Sequence, residues 1–129
     1  MEKRTVNPWK WQDGRSYSQA VEVKNVKSTL YCSGQAAIDP DGTSSNKEMK
    51  SQLQQAIANL EEVISAAGYA CEGIVRLNIY TTSTEELWPY FTILQEWIAK
   101  HKIQQAVTML EVKGLFETLK VELEATVVK

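Results

Sequence analysis

Hydrophobic and polar positions alternate most clearly at the end of the chain, where Val121, Leu123, Ala125 and Val127 interleave with Glu122, Glu124, Thr126 and Val128. A period of two predicts a strand over 120–129 with one apolar and one polar face. Glu122 and Glu124 then share a face, roughly 7 Å apart, on either a solvated sheet surface or the floor of a site. A second alternating run, 74–81, sets Val75, Leu77 and Ile79 against Arg76, Asn78 and Tyr80. Weaker patterns predict strands over 17–23 and 29–33, paired as a hairpin across the polar stretch 24–28, and a strand over 106–112.

Helical spacing separates these strands. Met49, Leu53, Ile57, Leu60, Val63, Ile64 and Ala67 recur every three or four residues, with Ser45 and Glu48 at capping-box spacing before them and Gly68 as the stop. Leu87, Phe91, Leu94, Trp97 and Ile98 mark a second helix behind Ser83 and Glu86, with Pro89 predicting a short first turn and then a kink or restart. His101 falls in its last turn, as a complement to the helix dipole or simply exposed.

Strand, long helix, strand is the βαβ pattern. Two helices cover one face of a sheet of five or six strands, and the other face is left for water or a partner. Tyr17, Arg76, Asn78, Tyr80 and the two glutamates suit an oligomer interface with pockets in it. Gly34, ending the second strand, permits close approach of another backbone or a ligand, or merely a bend. Val6, Trp9 and Trp11 are expected to pin the N-terminal segment to the core rather than to stack bases.

Composition narrows the function classes. With 129 residues and 43% hydrophobic content the chain suits one domain. Its 14 basic and 16 acidic side chains leave a net charge of -2 with no block of like charge, which disfavours nucleic acid and anionic membranes as partners. Neither a membrane-length apolar run nor the apolar core of a signal peptide is present, so a cytoplasmic location is expected. Cys32 and Cys71 read as buried free thiols, and one histidine with two cysteines argues against a metal site.

The set Tyr17-Ser18-Gln19-Ala20, Ser33-Gly34-Gln35, Asp39-Pro40-Asp41-Gly42, Ala66-Ala67-Gly68, the run 75–81 and Val121-Glu122-Leu123-Glu124-Ala125 resembles, in order along the chain, the Rid family of reactive intermediate deaminases, formerly called the YjgF family. The resemblance implies an α+β, chorismate-mutase-like subunit with two helices on one face of a mixed sheet, assembled as a homotrimer with small-molecule clefts between subunits. It also implies hydrolysis of 2-imino acids or their enamine tautomers to 2-oxo acids and ammonia, without a cofactor. By the same resemblance Glu122 orders the attacking water, and Tyr17 and the Ser33-Gly34 backbone line the pocket.

One position departs from the family pattern. Its Pro-Ala-Arg-Ser stretch corresponds to Gln105-Ala106-Val107-Thr108, so Val107 stands where an arginine would clamp the substrate carboxylate. Valine offers none of that charge-assisted pairing. Subgroups without this arginine exist, and the 2-imino acid reaction does not carry over to them automatically. Arg15, two residues before Tyr17, is the candidate for a relocated cation, with an exposed loop arginine as the plain alternative. Three functions follow: an imine or enamine hydrolase, a non-catalytic small-molecule-binding trimer, and the ribonuclease or translation-inhibitor activity attached to some family members.

Overall fold

The period-two run at the chain's end is the strand β7 (Val121–Val128), the centre of the sheet. The computed structural model describes all residues, Met1–Lys129. Before β7 come β1 (Glu2–Val6), β2 (Ala20–Lys24), β3 (Thr29–Tyr31), β4 (Gln35–Ala36), α1 (Met49–Ala66), β5 (Ile74–Thr81), α2 (Thr84–Leu87), α3 (Phe91–Lys100) and β6 (Ala106–Glu111). The main sheet has five strands in the order β3-β7-β5-β6, with β4 also pairing β7. Only β5 and β6 are parallel neighbours; β7 runs antiparallel to β3, β4 and β5. The βαβ unit around α1 is therefore split, because β7 lies between the strand leading into the helix and the strand leaving it. The sheet is mixed, with both helical stretches packed on one face, as the sequence predicts.

Burial explains that arrangement. Val121, Leu123, Ala125 and Val127 are almost completely buried, together with Ile74, Leu77 and Ile79 of β5. Against them lie Leu53, Leu60 and Ile64 of α1 and Leu94, Trp97 and Ile98 of α3. Each fully buried large aliphatic side chain is worth about 1.5–3 kcal/mol relative to exposure. Cys32 and Cys71 are free and buried, and burial pushes both thiols up, which leaves them unreactive. No helix is long and apolar enough to cross a membrane.

Four local expectations need correction. The strand over 17–23 does not pair with the one over 29–33: β2 pairs β1, and β3 pairs β7. The polar stretch between them is not a hairpin turn, because the Lys27 and Ser28 N–H groups both donate to the Lys129 carbonyl, 2.8 and 3.0 Å away. Those bonds align the chain with the far end of β7. The cap of α1 is Glu48, whose carboxylate accepts from the Ser51 N–H at 3.3 Å, while Ser45 Oγ serves Lys47 in a local turn. A register shift in β5 between Ile74 and Arg76 puts Ile74, not Val75, wholly inside the core. Finally, Trp9 and Trp11 are more than half exposed and stack on each other, 6.3 Å between ring centroids, rather than on the core.

Helix ends follow the sequence more closely. Gly68, at φ 79°, closes α1 as the N–H groups of Gly68 and Tyr69 reach back to Ser65 and Ile64. Ser83 caps α2 by accepting from the Glu86 N–H at 3.1 Å, and the 3₁₀ turn Trp88–Tyr90 containing Pro89 separates α2 from α3. The same closing motif ends α3 without a glycine. Lys102 takes φ 53° while its N–H and that of Ile103 bond Ala99 and Ile98. Left-handed backbone costs a lysine about 1–2 kcal/mol, part of which glycine returns through its freer unfolded state. Lys102→Gly is expected to stabilise the fold by about 0.5–1 kcal/mol, read as a higher thermal midpoint.

Candidate active site

The two glutamates of β7 have different surroundings on the face turned away from the helices. Glu124 Oε1 accepts from Asn78 Nδ2 at 2.8 Å and from the Tyr80 hydroxyl at 3.0 Å. The bond to that carboxylate holds the Tyr80 phenol above its usual range. Glu124 is thus engaged in a structural hydrogen-bond pair across β5 and β7. Glu122 lies opposite Tyr80 and Ala36 in the ladders and accepts no hydrogen bond from the chain.

What approaches Glu122 is Gly34. The chain leaves the edge of β7 after Cys32, whose N–H donates to the Ala125 carbonyl at 2.9 Å, and rejoins it as β4. Ser33 and Gly34 form the bulge between, directly over Glu122. A Cβ on Gly34 would sit 2.6 Å from Glu122 Cδ and 2.9 Å from its Oε1. The missing side chain is the space that the carboxylate occupies, so the close approach expected at this glycine is made by a side chain of the same site.

Tyr17, Arg15 and Val107 form a second cluster at the opposite edge of the sheet. Tyr17 lies not on a strand but in the loop before β2, and that loop is fastened to β6: the Ser18 N–H donates to the Gln105 carbonyl at 3.0 Å, and Gln105 Nε2 donates to the Ser16 carbonyl at 2.9 Å. Between loop, β6 and α3 opens a cleft of about 810 Å³ whose lining includes Arg15, Tyr17, Arg76, Trp88, Phe91 and Val107. Val107 pairs with Leu77 and packs against the core, so it points to the helix side of the sheet, opposite to Glu122. Two strand spacings and three residues along the strands separate the two positions, roughly 14 Å between Cα atoms. Within one chain, then, Ser33, Gly34 and Glu122 come together, Tyr17, Arg15 and Val107 come together, and the two groups do not meet.

Trp88 and Phe91 are cleft residues that the sequence does not single out, whereas Arg76 is marked there as part of a set suited to an interface with pockets. Phe91 reads as a core position from its helical spacing. Trp88 carries the available signal, being a large aromatic off the apolar stripe of its helix. Nowhere do three or more His, Cys, Asp or Glu side chains converge as metal ligands.

A mixed sheet with two helices on one face, carrying on its central strand a free carboxylate beneath a glycine bulge, defines the class: a small α+β scaffold with a candidate site on the face turned away from its helices. The family model described as Endoribonuclease L-PSP matches residues 12–129, and the chain belongs to that family, also known as the YjgF, RutC or Rid family. A RutC family protein of Aquifex aeolicus is 31% identical over 113 residues, 88% of each chain. The crystal structure of YyfB from Yersinia pestis, described as a protein of unknown function of the conserved Rid family, covers both chains completely with a TM-score of 0.86 and 28% identity. The 2-iminobutanoate/2-iminopropanoate deaminase of Salmonella typhimurium is 24% identical over 114 residues, 88% of this chain and 87% of that one.

Proposed function

We propose that this chain is a cofactor-independent hydrolase of reactive imines or enamines, acting in the cytoplasm as a homotrimer with its sites between subunits. The observation that carries the reaction is Glu122, a carboxylate free of hydrogen bonds beside an exposed bulge, while its neighbour Glu124 is engaged. In the reaction Glu122 takes a proton from water as the oxygen bonds to the imine carbon, giving a carbinolamine. The proton passes to nitrogen, Glu122 then takes the proton of the carbinolamine hydroxyl as the C–N bond breaks with its electron pair leaving on ammonia, and a neutral carbonyl remains. A protonated imine is a cation, and a carboxylate beside it stabilises both binding and attack. The name of the Salmonella relative supports the reaction class.

The trimer is supported by what one chain leaves unfinished. Two half-sites toward opposite edges and on opposite faces complete each other when the β6 edge of one subunit meets the β3 and β4 edge of the next, a head-to-tail contact that closes as a ring. The face to be covered also carries Tyr31, 79% exposed, and Leu110, 51% exposed, in register with the Glu122 side.

Ammonia release from imines generated in place by an amino-acid oxidase tests the reading. The unmodified protein is expected to accelerate release, and Val107→Arg to raise the rate on small aliphatic 2-imino acids by about tenfold, the value of one charge-assisted contact. If only Val107→Arg is active, the scaffold is competent but the protein is not a 2-imino acid deaminase. If no imine is turned over while ligand is retained, the non-catalytic trimer replaces the enzyme. The ribonuclease reading has one favourable feature, the stacked Trp9–Trp11 pair beside Arg15. It requires RNA cleavage that survives rigorous purification and falls with Glu122→Gln.

A further inference from the structure

The chain has three arginines. Arg4 pairs with Glu22, at 3.2 Å. Arg15 and Arg76 both line the cleft at the β6 edge, neither meets a carboxylate, and no aspartate or glutamate of the same chain lines the cleft. In a chain with more acidic than basic groups, a cleft with two unpaired guanidiniums and no acid is a place of positive potential. Arg76 is partly committed, donating to Thr108 Oγ1 at 3.0 Å. Arg15 keeps its donors free while its guanidinium lies over the Trp11 ring, 5.2 Å from the centroid, and Trp11 in turn meets Tyr17 edge-on. The loop cation is therefore held at the mouth of the cleft without being neutralised.

The wall of the cleft is aromatic. Trp88 and Phe91 stack with centroids 5.3 Å apart, and Trp88 remains 64% exposed. Val107 and Met109 supply the floor. A volume of about 810 Å³ falls within the range of small-molecule sites. Apolar walls that bind a flat ring, with a cation at the rim, fit one chemical class.

We propose that this cleft binds a small organic anion with a planar aromatic body, the ring against Trp88 and Phe91 and the acid group on Arg15, in place of a cation on β6. This names the substrate class of the hydrolase reading and rests on that reading only for turnover, not for binding.

The test is calorimetric titration of the full-length protein with phenylpyruvate, with pyruvate, which lacks the ring, and with phenylacetone, which lacks the acid. Phenylpyruvate is expected to bind at least tenfold more tightly than either. Arg15→Gln is expected to weaken phenylpyruvate about tenfold and leave phenylacetone unchanged, whereas Trp88→Ala weakens both aromatic ligands. Both side chains are exposed, so neither change threatens the fold. Equal binding of pyruvate and phenylpyruvate, or affinity untouched by Arg15→Gln, overturns the proposal. If phenylpyruvate binds in the expected pattern but no imine is hydrolysed, the hydrolase reading fails and the binding site stands. If imines are hydrolysed but the ring confers no affinity, the reverse holds.

Discussion

Glu122→Gln is expected to lower the rate of ammonia release by about two to four orders of magnitude, the usual worth of a positioned general base. The amide keeps the size of the side chain and its contact with Gly34, so the thermal midpoint is expected to stay close to that of the unmodified protein. Glu124→Gln is the control. Its amide oxygen still accepts from Asn78 and Tyr80, and turnover is expected to change by less than about tenfold because that carboxylate is held for structure. Gly34→Ala probes the same base without altering its chemistry. A Cβ placed 2.6 Å from Glu122 Cδ forces the carboxylate aside, and a displacement of about 1 Å at a reacting group costs on the order of 100-fold. Steady-state ammonia release with all three variants is the measurement. Equal losses in Glu122→Gln and Glu124→Gln would remove the distinction between the two carboxylates, and full activity in Gly34→Ala would show that Glu122 works from another position.

In the sequence that distinction comes only from the family resemblance, because by pattern alone the two glutamates are equivalent positions on one strand face. The alternation of β7 was legible because both of its neighbours and both of its faces reinforce a period of two. Which glutamate is engaged depends on register: Asn78 lies opposite Glu124, while the bulge between β3 and β4, far earlier in the chain, lies over Glu122. The failed hairpin has the same origin. Residues 27 and 28 bond the last residue of the chain, a pairing that no local pattern announces. Tyr17 was legible as a site residue by resemblance, but its place in a loop is fixed by Gln105, a buried side chain far away in sequence. Likewise Arg15 and Arg76 become one electrostatic feature only when the loop is fastened to β6.

Gln52→Leu is expected to destabilise the protein by about 4 kcal/mol, from backbone groups left unpaired at about 1–3 kcal/mol each. Gln52 is completely buried. It shares the apolar stripe of α1 with Ala56 and Leu60, so its position, rather than its type, marks it as interior. Its Nε2 donates to the carbonyls of Lys47 at 3.0 Å and Thr118 at 3.1 Å, and its Oε1 accepts from the Lys120 N–H at 2.8 Å. One side chain thus ties the lead-in to α1 to the residues immediately before β7. Leucine fills the volume but satisfies none of these groups, and a loss of about 4 kcal/mol is a large part of the 5–15 kcal/mol available to most domains. Urea unfolding is expected to show a midpoint about 2 M lower at a slope of about 2 kcal/mol per M. Gln52→Glu separates lost hydrogen bonding from misfit. Its ionised carboxylate keeps the Lys120 bond but loses both donor bonds and faces the two carbonyls, whereas the protonated form donates to one of them. Burial and those carbonyls raise the folded-state pKa of the new carboxyl above its unfolded value. The folded state therefore binds the proton more tightly, so stability relative to the unmodified protein, compared at each pH, should recover as pH falls and be lost as pH rises through the raised pKa. A Gln52→Leu midpoint close to that of the unmodified protein would show that water replaces the amide. A flat pH response in Gln52→Glu would show that its donor bonds contribute little. Because Lys120 is two residues before Glu122, the same substitutions are also expected to reduce turnover below the unfolding transition, as the start of β7 loosens beneath the Glu122 carboxylate.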